Sequence, residues 1–420
     1  MARVLLIVPS ATYRVADFLA AARALDVEVV IATDQADAVP SVAGPKAISL
    51  PVDDPAAASD AIVAHDLVTP LDAVVAVDDV GTLIAAQAAQ RLGLRHNPPD
   101  AVAATRDKLA MRGRLAGAEV SQPAFAALPP RASPDRVKEV VRGVGLPCVV
   151  KPTSLSASQG VLRADTAEEA VATARRVSVI AASAGVDPSA PLLVERFVTG
   201  PEVAVEGMVT AGDLRVLAVF DKPDPLEGPA FEETMYLTPS RLDGEDLAAV
   251  RRTVTDATRG LGLLDGPIHA ELRVERGRAS VIELAARTIG GLCARALSFA
   301  AGRSLEELVL CNALGLPTPP TAALGASGVL MIPIPRAGRL VAVNGLEEAL
   351  TVPGVTDIQI TIAPGRTVVP VPEGNRYLGF AFARDRDPAR VERVERALRR
   401  AWETLDVRVA PEPSAAHPTT

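Results

Sequence analysis

Cysteine, histidine and lysine are scarce in this chain of 420 residues, and each shortage excludes something. Cys148, Cys293 and Cys311 lie far apart and form no CxxC. With no secretion signal, they read as reduced core residues rather than a disulfide set or a metal set. His65, His96, His269 and His417 include no pair with zinc-ligand spacing. No apolar run approaches the roughly 20 residues that cross a bilayer. The opening run VLLIVP is too short for the apolar core of a signal peptide and reads as a buried first strand. A cytoplasmic protein away from membranes is expected. The net charge of -8, with no basic stripe, predicts no nucleic-acid partner.

The shortage of lysine is selective. Of 43 basic residues only five are lysines: Lys46, Lys108, Lys138, Lys151 and Lys222. Lysine is a compact point charge suited to phosphate oxygens, whereas arginine is a planar fork. Lys46 in a Pro/Gly loop and Lys138 on a polar helix face read as ordinary surface residues. The other three need a reason.

Short apolar runs at 4–9, 27–32 and 73–77 are separated by segments of helical periodicity at about 14–25, 54–65 and 79–92. That alternation predicts a parallel, Rossmann-like sheet over residues 1–95. Pro98 and Pro99 start a helix expected to run to about Leu115. From about 120 to 198, short strands and helices near 134–143 and 166–182 read as a smaller α+β subdomain within a domain of 96–325. A long helix at about 243–261 leads to strands 268–275 and 279–285, with helices at about 290–300 and 304–313 beyond. Residues 315–328 read as a linker. Residues 326–410 read as a third domain of four or five strands and one charged helix, and 411–420 as a disordered tail.

Two features carry chemistry. Glu271 and Glu283 flank the turn around Gly277. A three-residue loop at 276–278 would pair 275 with 279, and so 271 with 283, with Cβ atoms about 5 Å apart. Leu272, Val274, Ile282 and Leu284 would then face the core, with His269, Arg273, Ala285 and Arg287 on the glutamate face. Opposed carboxylates repel, so positive charge must meet them. Mg²⁺ is one candidate, and salt bridges to Arg273 and Arg287 are the plain structural alternative. The second feature is PCVVKPTSLSASQGV, in which a strand delivers Lys151 to a loop of small residues, Thr153, Ser154, Ser156 and Ser158, ending at Gly160. Such a loop admits a phosphate close to backbone N–H groups. It is not a Walker A loop, and a flexible surface loop is the alternative.

In order and spacing, TRDKLAMRGRLAGAEVSQPAF, VVKPTSLSASQGV, LLVERFVTGPEVAVEGMV and HAELRVERGRASVIELAARTIGG resemble the ATP-grasp superfamily over about residues 1–320. The resemblance implies α/β and α+β domains: an N-terminal Rossmann-like domain, a central ATP-grasp domain and a C-terminal strand-rich domain. It implies ATP as the nucleotide, with Lys108 and Lys151 at its phosphates beneath a loop of Ser156, Ser158 and Gly160. Glu195 would accept the adenine amino group, the backbone near Phe197 and Val198 would read the ring edge, and Glu202 would hold the ribose. Glu271 and Glu283 would bind Mg²⁺, two ions in such sites, with Mn²⁺ as a substitute. Arg287 would meet the reacting phosphate.

Where the general family pattern has Asn two residues after the second metal glutamate, this chain has Ala285. That form, together with FDKPDPLEGPAFEETMYLTPS, resembles the carboxylate–amine ligase branch, which includes bacterial L-amino-acid ligases. By that resemblance Lys222 approaches phosphate or substrate, and Glu233, His269 and Arg336 are substrate candidates. The expected partners are a carboxylic acid, an amino acid foremost, and an amine. The expected reaction is ATP-dependent amide formation through an acyl phosphate. The alternatives are a carboxylase or purine-biosynthesis enzyme of the same superfamily, or a non-catalytic ATP-binding module. Assembly is left open, with a homodimer as the candidate.

Overall fold

The computed structural model describes residues 1–9, 12, 14–35, 47–299, 302–318, 321 and 324–411. Lys46, His417 and nearly all of the expected tail lie outside them. The chain forms two compact units. One holds 1–123, 198–220 and 241–324; the other holds 124–197, 221–240 and 325–420.

In the first unit, Arg3–Ile7 pairs in parallel with Glu28–Thr33 and Ala73–Ala76, and Ala47–Ser49 adds a fourth parallel strand, missed in the sequence because it is only three residues long. Helices Val15–Ala24, Pro55–Asp66 and Thr82–Leu92 follow the expected periods. The single helix expected from Pro98/Pro99 to Leu115 is two, Pro99–Arg106 and Lys108–Gly117. Asp107 between them is extended, and its carboxylate accepts the N–H groups of Leu109 and Ala110 at 2.8 and 3.1 Å. An aspartate that can cap restarts a helix, which makes Lys108 a first-turn residue.

The same unit carries the antiparallel strands Arg278–Ala285, Gly266–Glu275, Glu202–Thr210 and Asp213–Asp221, in that order. Their apolar face, including Val203, Val205, Leu272, Val274 and Leu284, packs with Val250, Val254 and Leu261 of the helix Gly244–Leu261 in one core. Their other face carries the charged residues. The helix expected at 290–300 is only a short 3₁₀ turn, Cys293–Ala296, after Gly290 and Gly291.

In the second unit, Phe125–Leu128, Leu192–Arg196, Cys148–Pro152 and Leu162–Ala164 form an antiparallel sheet covered by helices Pro134–Val144 and Ala167–Ser183. Met235–Thr238, Ala326–Ile332, Gly379–Asp385 and Val355–Ile360 form a second set, backed by the helix Val391–Thr404. Gly338–Asn344 pairs with Thr367–Val368 and Asp406–Ala410. The described residues beyond 325 thus carry six strands rather than four or five, one of them only two residues long.

Candidate active site

Three adjacent strands of the first unit present charge in rows. Glu202 stands opposite Arg273, Ala204 opposite Glu271, and Glu206 opposite His269. Glu271 stands opposite Glu283, and His269 opposite Ala285. The expected opposition of Glu271 and Glu283 therefore holds, but the route to it differs. The turn has two residues, Arg276 and Gly277, both with positive φ (54° and 74°), and it pairs Glu275 with Arg278. Such mirror-image turns match strand twist. Left alone, a two-residue turn would put the glutamates on opposite faces. A bulge restores the register: Leu272 pairs with Val281, the next step pairs Glu271 with Glu283, and Ile282 is the extra residue. Ile282 is accordingly half-buried rather than a core residue, and Ala279, Val281 and Leu284 fill the core instead.

Each glutamate has its own cation. Lys108 Nζ lies 3.2 Å from Glu283 Oε1. His269 Nε2 lies 3.5 Å from Glu271 Oε1, while its Nδ1 is 2.5 Å from Glu206 Oε1. Burial alone would lower the His269 pKa; bonding to Glu206 and Glu271 outweighs it and pushes the value up to about 9, so the ring is a cation at neutral pH. His269 thus has a carboxylate at both ring nitrogens and is part of this charged framework. Arg273 and Arg287, the sequence's alternative partners for the glutamates, also engage other acceptors. Arg273 Nε bonds Glu202 at 3.0 Å, so the expected ribose acceptor is already engaged by a cation.

Arg287 Nε lies 3.6 Å from Asp79 Oδ1, and its Nη1 donates to the Thr288 carbonyl at 2.9 Å. Burial opposes its charge, yet Asp79, Glu283, Asp78 and Glu206 together hold its pKa above the ordinary value. Asp79 also faces Arg106 Nε at 3.8 Å.

In the second unit Lys151 Nζ is 2.7 Å from Glu195 Oε2, and both side chains are 4% exposed. Register explains the pair: Lys151 stands opposite Leu193 and Val149 opposite Glu195, so the two charges are diagonal neighbours. Lys222 bonds Glu233 and lies 5.3 Å over the Tyr236 ring, whose hydroxyl donates to Glu233 at 2.8 Å. Glu233 is thus a partner of Lys222, not the solvated loop acid weighed for it. The Phe197 N–H donates to the Pro147 carbonyl at 2.9 Å. The Phe197 ring stacks on Phe231 at 6.3 Å with the Arg163 guanidinium 4.4 Å from its centroid. Val198 follows in the first unit.

In the loop from 153 to 160, Ser158 and Gly160 have φ of 55° and 71°. The Gly160 N–H donates to the Pro372 carbonyl at 2.9 Å, and the Ser156 and Ser158 carbonyls accept from Gln159 and Val161 within the turn. Arg336 donates through Nη2 to the Val409 carbonyl.

Sequence reasoning missed Glu206, Asp79 and Arg112. The first was readable from alternation, since Glu202, Ala204 and Glu206 share a strand face. Asp79 and Arg112 gave no local signal.

Glu271 and Glu283, opposite one another with side chains 19% and 27% exposed, fit a hard divalent cation that takes oxygen ligands. A Glu202 oxygen comes within 4.8 Å of one on Glu271.

Three family matches follow in order along the chain: an ATP-grasp N-terminal domain at 19–96, an ATP-grasp domain at 144–296, and an L-amino acid ligase C-terminal domain 2 at 330–410. The chain belongs to the ATP-grasp superfamily, in its carboxylate–amine ligase branch. It is 28% identical over 237 residues to the alanine–anticapsin ligase of Bacillus subtilis, an alignment covering 52% of this chain and 49% of that one. The chain spans about half the length of the curated relatives it matches. The crystal structure of an L-amino acid ligase from Bacillus licheniformis superposes with a TM-score of 0.78 at 25% identity, over 98% of this chain and 99% of that one. N5-carboxyaminoimidazole ribonucleotide synthetase from Thermotoga maritima shares the fold, with a TM-score of 0.70 at 18% identity, over 98% and 100%. Among the described residues no helix is long and apolar enough to cross a membrane.

Proposed function

We propose that this chain is an ATP-dependent carboxylate–amine ligase that joins an amino-acid carboxylate to an amine. A carboxylate oxygen attacks the γ-phosphorus, the bond to the β-phosphate oxygen breaks, and ADP leaves. The amine nitrogen then attacks the acyl carbon, the carbon–oxygen bond to phosphate breaks, and phosphate leaves with the amine proton lost to solvent. Catalysis of this kind is mostly positioning and charge neutralisation. Lys108 and Lys151 would bind the phosphates, and Lys222, with Glu233, would orient substrate. Arg287 would meet the oxygens that become most negative when the amine attacks. Mg²⁺ on Glu271 and Glu283, as two ions or replaced by Mn²⁺, would supply neutralisation of the phosphate oxygens.

The observation that carries this reading is the opposed Glu271 and Glu283 with Lys108 on Glu283, set in a chain with family matches along most of its length. A cytoplasmic homodimer is the setting that accompanies it. The test is phosphate release from ATP with amino acids offered singly and in pairs. Release that needs both an acid and an amine, with a condensed product by mass spectrometry, is expected. Bicarbonate-dependent ADP release would identify a carboxylase instead, and tight ATP binding without turnover across the panel would identify a binding module.

A further inference from the structure

Arg112 is the largest fully buried side chain among the described residues, at 0% exposure. It sits one helical turn after Lys108 on Lys108–Gly117, so the two residues share a face of that helix. Its Nη1 donates to the Val281 carbonyl at 2.8 Å and its Nη2 to the Ile282 carbonyl at 2.6 Å. Gln122 steadies it, with Oε1 3.4 Å from Nη1 and Nε2 donating to the Arg112 carbonyl at 3.0 Å. The two carbonyls are those of the bulge.

We infer that Arg112 is a positioning residue for Glu283: its guanidinium locks the bulge that brings Glu283 opposite Glu271. The two-residue turn leaves the hairpin one residue out of phase, and Ile282 absorbs the difference. A bulge tilts carbonyls away from the ladder, and buried carbonyls need donors. A planar fork can serve two successive carbonyls at once, and an ammonium cannot hold both in one plane. The same helix places Lys108 on the Glu283 carboxylate. One helix face therefore fixes both the backbone under Glu283 and the charge on it.

The inference rests on the reading of Glu271 and Glu283 as metal ligands, so its test has one arm that does not. The full chain is compared as wild type, Arg112→Lys, Arg112→Met, and Arg112→Met with Ile282 deleted. The first arm is hydrogen exchange of the 279–285 amides in metal-free protein. The second is calorimetric affinity for Mn²⁺ in the presence of a non-hydrolysable ATP analogue. Arg112→Met should speed exchange at 282–284 and weaken Mn²⁺ binding by about 10–100-fold, the range for residues that support metal ligands. Arg112→Lys should lie between. Deleting Ile282 leaves an unbroken ladder in which Glu283 still faces Glu271, because Val281 already pairs with Leu272. The deletion should therefore return Mn²⁺ affinity most of the way in the Met background, which a general loss of stability would not do. If Arg112→Met does not fold, the double variant should fold where it does not.

Wild-type exchange and affinity in folded Arg112→Met would overturn the inference. So would a double variant as defective as the single one. Failure of the wild type to bind Mn²⁺ with the analogue would sink the metal reading instead, leaving the exchange arm to judge Arg112.

Discussion

Removing Lys151 alone should unfold the protein more easily than removing Lys151 and Glu195 together. The Nζ–Oε2 distance is 2.7 Å and both side chains are 4% exposed, so each charge depends on the other. Lys151→Met leaves the Glu195 carboxylate buried without its ion-pair partner, and breaking a buried pair costs about 3–5 kcal/mol. At about 2–4 °C per kcal/mol for a folded unit of this size, the melting temperature should fall by about 6–20 °C. Replacing both residues by apolar ones, Lys151→Met with Glu195→Leu, removes the stranded charge, and such exchanges are often neutral. Its melting temperature should return to within a few degrees of wild type. ATP affinity should not return, because a charge-assisted contact of about 1.5–3 kcal/mol is still missing, about 10–150-fold in Kd. Lys151→Arg should also bind ATP weakly, since a fork does not replace a point contact in a filled site. Thermal melts and calorimetric ATP binding on the three variants decide it. A double variant with wild-type ATP affinity would show Lys151 to be structural only. An unchanged melting temperature for Lys151→Met would show that the pair is not buried in solution.

Three further outcomes are expected. Arg287→Ala should lower kcat by about 10²–10³, the effect of losing one oxyanion donor, while its melting temperature changes little; a large melting loss with near-normal kcat would make it a structural partner of Asp79. Glu283→Gln should raise the Mg²⁺ concentration needed for half-maximal phosphate release at least about tenfold, and chelation should abolish release in the wild type; release indifferent to both would remove the metal from the site. Burial pushes the Cys148 thiol up to about 11 and raises Cys311 as well, so both stay protonated and poor nucleophiles at pH 8; a thiol reagent should find them only after unfolding, and fast labelling of either in the native protein would contradict their burial.

The parallel sheet of residues 3–76 was legible because helical and extended periods alternate there without competition. The facing glutamates were legible in outcome and misread in mechanism. A three-residue loop and a two-residue turn followed by a bulge give the same Glu271–Glu283 pairing. Nothing local separates them, because the residue that takes positive φ beside Gly277 is Arg276, not the Asn or Asp that would announce such a turn. The break at Asp107 was misread: two prolines upstream suggested one longer helix, although an aspartate before an apolar run is also a cap signal. Pairings such as Glu206 with His269 or Asp79 with Arg287 join distant parts of the chain, and only the fold decides them.

The division of labour between the two basic side chains follows the same physics. Arginine does the structural work at buried and half-buried sites with several acceptors. Arg112 takes two carbonyls, Arg14 takes the Val77 carbonyl with Thr288 and Glu306, and Arg295 takes both oxygens of Asp17. Each of these uses the fork, and none could be served equally by one ammonium. Lysine appears buried at three described positions, each time against a glutamate: Lys108 with Glu283, Lys151 with Glu195, Lys222 with Glu233. A point charge on a flexible stem can leave one oxygen for another at little geometric cost, which a locked fork cannot. Such a pair keeps both charges compensated before a ligand arrives. In the proposed reaction the ammonium would then be available to phosphate and the carboxylate to a metal or an amine. Three of the five lysines in this lysine-poor chain are thus buried ammoniums on glutamates, the arrangement in which a charge is most easily exchanged rather than fixed.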